Sequence, residues 1–81
     1  MRGIVKLFAS LREATGSSEV EWDLADGATV ETLMKYLQQR FSGLDRLSVN
    51  AWIAVNRHYA APDTPLQDGD EVALFPPVSG G

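Results

Sequence analysis

The chain has 81 residues, a formal net charge of −4, 44% hydrophobic content and no cysteine. That length allows one domain with a small core, burying about 60% of the unfolded chain's surface. Without a thiol there is no cysteine nucleophile, disulfide or Cys-based metal site, and without a Lys/Arg cluster there is no phosphate track for nucleic acid.

From residue 3 to 9, Ile4, Val5, Leu7 and Phe8 surround Lys6 in an apolar run that predicts a central strand. Residues 10–16 offer a Ser10 cap, helix formers and a closing Gly16, which predict a single helical turn. Val20, Trp22 and Leu24 alternate with Glu19, Glu21 and Asp23, the period of a strand with one wet face. Asp26 and Gly27 then turn the chain. Thr29 caps a predicted helix whose stripe is Val30, Leu33, Met34, Leu37 and Phe41, with Glu31, Lys35, Gln38 and Gln39 facing away. Gly43 supplies the stop, and residues 44–50 carry no clear signal. A third strand is expected over 52–56, a turn at Arg57 and His58, and a short return through Tyr59 and Ala60. Pro62 and Pro65 exclude regular structure. Gln67-Asp68-Gly69-Asp70 reads as a solvated turn, and residues 71–75 as the last strand.

A helix that must bury its stripe packs on one face of the sheet and leaves the other open. The expected class is therefore α+β, a ubiquitin-like β-grasp. It has a mixed sheet of about five strands, with the apolar first and last strands parallel in the middle. Residues 1–75 form the domain, and 76–81 an extended C-terminal tail. Alternation turns Val5, Leu7, Val72 and Leu74 toward the helix and sends Phe8 and Phe75 to the open face.

Side-chain chemistry is sparse. His58 has no second His or Cys to help it hold a metal, and the serines lack a nucleophile-elbow context. Asp68, Asp70 and Glu71 lack the remaining ligands of a calcium loop. No signal peptide or membrane-spanning stretch is visible, and the expected compartment is the cytoplasm. The remaining feature is the end of the chain, Pro76-Pro77-Val78-Ser79-Gly80-Gly81. Proline favours an extended backbone, and two glycines pass a slot too narrow for side chains. With Val78 its only substantial apolar side chain, this tail is expected to be mobile until a partner holds it.

Leu7-Phe8-Ala9, Leu11-Arg12-Glu13, Ala28-Thr29-Val30, Ala54-Val55-Asn56 and, above all, the block from Leu66 to Gly81 resemble the small subunit of molybdopterin synthase, the MoaD family of sulfur carriers. The resemblance implies a carrier that binds no cofactor itself. A separate enzyme, using ATP and Mg, adenylates the C-terminal carboxylate on Gly81, and a sulfur donor protein converts it to a thiocarboxylate. The tail, with Gly80 beside Gly81, then enters the large subunit, with which the chain is expected to form a heterotetramer, and sulfur passes to a pterin precursor to build a dithiolene. Phe8 and Phe75 on the open face form an expected docking patch, Tyr59 holds a position where the resembled family also has a contact residue, and Pro76, Pro77, Val78 and Ser79 of the tail complete the expected partner-binding set. Three alternatives stay open: a protein modifier joined to lysines, a thiamin-pathway sulfur carrier, and a small domain with an inert tail.

Overall fold

The computed structural model describes residues 1–44 and 51–76. In chain order these form β1 (Arg2–Leu7), α1 (Ala9–Thr15), β2 (Glu19–Asp23), α2 (Val30–Arg40), β3 (Trp52–Val55), β4 (His58–Tyr59) and β5 (Glu71–Phe75). The strands make one sheet in the order β2-β1-β5-β3-β4. β1 and β5 run parallel at its centre, with Val5 opposite Val72 and Leu7 opposite Leu74. The other three pairings are antiparallel. The apolar first and last strands thus lie side by side at the centre of the sheet, as the sequence predicts.

One sheet face is dry. Val5, Leu7, Trp22, Val72 and Leu74 pack there with Leu11 of α1 and with Val30, Leu33 and Leu37 of α2, all essentially buried. α2 begins as expected at Thr29. Its hydroxyl accepts from the Thr32 N–H, and the Thr32 hydroxyl accepts from the Thr29 N–H, a reciprocal cap that satisfies two otherwise free donors.

Helix boundaries differ from the sequence expectation in two places. Ser10 lies inside α1 and does not cap it; the cap position is Phe8, with no side-chain acceptor. The Phe8 N–H still donates to the Leu74 carbonyl at 3.3 Å, so the central ladder runs one residue past β1. The reversal therefore falls on Ala9, which takes φ 50°. α2 ends at Arg40, one residue before the end of its apolar stripe, and Phe41 has an extended backbone. Gly43 is not a left-handed cap; it lets the chain pass Ala14, where an added Cβ would meet the Ala14 carbonyl oxygen at 3.4 Å.

At Gly3, by contrast, the absence of a side chain is obligatory. A Cβ there would fall on the Asp70 carbonyl oxygen and the Trp22 indole, well inside van der Waals contact. The same indole N–H donates to that carbonyl at 3.2 Å, with the ring fully buried. Gly3 thus lets β2's tryptophan reach across β1 to the turn before β5.

Candidate functional site

The face of the sheet away from the helices presents four large aromatic side chains to solvent. Register explains the grouping. Trp52 lies opposite Phe75 and Ala54 opposite both Ala73 and Tyr59, so Trp52, Tyr59 and Phe75 share one side of the sheet. Phe8 joins them where β1 ends beside β5. Phe8 and Phe75 stack nearly parallel, with ring centroids 4.6 Å apart and planes inclined by 8°. Trp52 and Tyr59 meet edge to face at 5.4 Å. Stacking does not hide them: Phe8 is 40% exposed, Trp52 50%, Tyr59 76% and Phe75 36%.

Such a cluster is unusual for a lone surface, because contiguous exposed apolar area is what monomers avoid. Between the aromatics lies an open groove of about 400 Å³, floored by Ala54 and Ala73 and bordered by Lys6, Arg57 and Glu71. A second hollow of about 290 Å³ adjoins it, formed by Trp52, Tyr59, Phe75 and Pro76. The groove therefore reaches the point where the chain leaves β5. Of the expected partner-binding residues, Phe8, Tyr59, Phe75 and Pro76 are brought together here. Pro77, Val78, Ser79, Gly80 and Gly81 lie outside the described residues, as do the expected tail mobility and most of the unassigned 44–50 connection.

Two neighbours of the groove escaped the sequence expectation. Trp52 sits in an apolar run whose alternation is masked by Ile53 and Val55, so its outward direction is not visible from pattern alone. The hairpin turn also falls one residue earlier than expected: Asn56 and Arg57 form it, at φ 50° and 72°, while His58 pairs with Val55 in β4. Two consecutive left-handed residues make the tight turn that matches the twist of a hairpin.

Asn56 anchors this turn to the sheet centre. Its backbone N–H donates to the Glu71 carbonyl at 2.8 Å, and its side-chain oxygen accepts from the Glu71 N–H at 3.0 Å. The Asn56 amide also donates to Asp70 Oδ1 at 2.8 Å, while Asp70 Oδ2 accepts from the Gln67 N–H at 2.8 Å. Asp70 is thus buried, which corrects the expectation of a wholly solvated turn; Gly69 does take the expected positive φ, 87°. Among the described residues no group of acidic or His side chains is arranged to hold a metal ion, and no helix is long and apolar enough to cross a membrane. Asp70→Ala should cost about 1 kcal/mol, because the Gln67 N–H and the Asn56 amide both lose their acceptor. Urea unfolding checks this, and a loss below about 0.5 kcal/mol would show that water replaces the carboxylate.

Residues 5–81 match the model of the ThiS family. The chain belongs to this family of ubiquitin-like sulfur carriers. The family assignment accounts for the β-grasp sheet and covers the diglycine at the end of the chain. A molybdopterin synthase sulfur carrier subunit from Chlamydomonas reinhardtii is 39% identical over 79 residues, covering 95% of each chain. The crystal structure of SAMP1 from Haloferax volcanii superposes with a TM-score of 0.89 at 35% identity, covering 100% of both chains. A chain from the complex of subunits 1 and 2 of the molybdopterin-converting factor of Helicobacter pylori 26695 superposes with a TM-score of 0.71 at 28% identity, again over 100% of both.

Proposed function

We propose that this chain is the sulfur-carrier subunit of a molybdopterin synthase, and that the carboxylate of Gly81 carries the sulfur. The observation that carries the reading is the aromatic face beside the exit of β5, placed to hold a partner while residues 76–81 reach onward about 20 Å if extended. The 39% identical relative named as such a subunit, and the solved complex of subunits 1 and 2, support the same reading.

The chemistry follows from the terminus. A carboxylate is a poor electrophile until one oxygen belongs to a good leaving group. A separate adenylating enzyme, with ATP and Mg, joins the carboxylate to AMP and releases pyrophosphate. Sulfide-level sulfur delivered by a donor protein attacks the carbonyl carbon, AMP departs with the bonding pair, and a thiocarboxylate remains. The large subunit then receives the end of the chain, the thiocarboxylate sulfur bonds to a pterin precursor, and water attacks the Gly81 carbonyl carbon, breaking its bond to sulfur and restoring the carboxylate. Two charged carriers are needed for each dithiolene. The side chains offer no competing sulfur carrier, since the two methionine thioethers have no proton to lose. The compartment that suits this role is the cytoplasm, and the assembly with the large subunit is a heterotetramer.

Docking on the aromatic face has a measurable consequence. Phe75→Ala and Phe8→Ala should each weaken binding to the large subunit by about 1 to 4 kcal/mol, as buried aromatic anchors do. Calorimetric titration measures it, and unchanged affinity in both folded variants would remove the face from the mechanism.

A second reading has its own support in the likeness to SAMP1. In it, the activated Gly81 carbonyl is attacked by a lysine amine of another protein and an amide forms. Lysine conjugates of the full chain, detected by mass after activation, would favour that outcome; pterin sulfuration without conjugates favours the carrier.

A further inference from the structure

We propose that Arg57 recognises the partner of the aromatic face, pairing its guanidinium with a carboxylate on the large subunit at the rim of the groove. This rests on the docking reading above and adds the chemistry of the contact.

The first observation is conformational. The β3–β4 hairpin closes through only Asn56 and Arg57, and Arg57 sits at φ 72°. At the second position of such a turn glycine is strongly preferred, because a Cβ is crowded in left-handed backbone. Strain of this kind points to a use for the side chain that is present. The use is not internal. Asn56 offsets its own positive φ with hydrogen bonds to Glu71 and Asp70. Arg57 is exposed and makes no hydrogen bond or ion pair with the described residues.

The second observation is the charge of the groove. Lys6, its other cation, is neutralised by Glu71 at 3.2 Å. Arg57 is left as the uncompensated charge, positive on a chain whose net charge is −4. Beside Tyr59 and Phe75 it stands where docking excludes water, so a facing carboxylate gains from a planar, two-pronged donor more than it would in open solvent. An acidic group of the partner complements this rim, and a basic one is repelled by it.

The test is titration of the purified large subunit with the full chain and with Arg57→Glu, Arg57→Lys and Arg57→Gly, at low and high salt, with a thermal unfolding curve for each. Arg57→Glu should weaken binding about tenfold or more at low salt and less at high salt. Arg57→Lys should keep most of the affinity. Arg57→Gly should bind several-fold more weakly while its unfolding midpoint rises, since glycine relieves the turn. Equal affinity in all four chains, with Phe75→Ala still impaired, would overturn the role of Arg57 and leave the docking reading standing. A lower midpoint for Arg57→Gly would overturn it too, by showing that the fold itself uses the side chain. Failure of the unaltered chain to bind the large subunit would overturn the docking reading, and this proposal with it.

Discussion

Gly3→Ala is expected to destabilise the protein by about 3 kcal/mol, although it adds a single methyl group. The methyl has nowhere to go. The space beside Gly3 is taken by the Asp70 carbonyl on one side and the Trp22 indole on the other. The backbone neighbour cannot rotate away, and the indole is fully buried among core residues. If the ring moves, its N–H leaves the Asp70 carbonyl and both polar groups are stranded in the interior. If β1 moves, the parallel ladder that joins it to β5 at Ile4 and Val5 is disturbed. Denaturant unfolding measures the loss, and Trp22 emission reports which alternative is taken. A change below about 1 kcal/mol would show that the crowding relaxes cheaply.

What the sequence made legible was what local pattern controls. The Glu19–Asp23 alternation, the 3.6-residue stripe from Val30 to Leu37 and the Thr29 cap each specify an element within a few neighbouring residues. The outward direction of Phe75 followed from the same alternation, and so did the open face beneath it. What stayed hidden is non-local. Gly3 looks like any glycine at the edge of a strand until the residues it touches, 19 and 67 positions away by difference of their numbers, are in place. Asp70 reads as a wet turn residue because its partner Asn56 is 14 positions distant. The hairpin slipped by one residue because Asn-Arg lacks the Asn-Gly signature that marks such a turn, and the arginine itself supplies no local reason to adopt positive φ. Trp22 and Trp52 mark the same boundary: alternation with Glu19, Glu21 and Asp23 assigns Trp22 to the dry face, whereas Trp52, followed by an apolar run, is placed on the open face by the register of the assembled sheet.

Removing Gly81 carries the largest expected functional effect. In the proposed chemistry the reacting carbon is the carboxyl carbon of that residue, so its deletion, or the addition of one residue after it, moves the electrophile by one residue, about 3.5 Å. Misplacement of about 1 Å already costs on the order of a hundredfold in rate, so sulfur transfer should fall to background. Stability should hardly change, because the core closes at Leu74 and no described contact depends on the last residues. A side chain at Gly80 should impair transfer as well, by obstructing a slot shaped for bare backbone.

The measurement that bears most directly on the central claim is the intact mass of the full chain after incubation with the adenylating enzyme, ATP, Mg and a sulfur source. The account predicts exchange of one oxygen for one sulfur, localised to Gly81 by fragmentation, and reversal of that exchange when the large subunit and pterin precursor are added. An unchanged mass in the presence of an active adenylating enzyme, or full pterin sulfuration by a chain lacking Gly81, would contradict it.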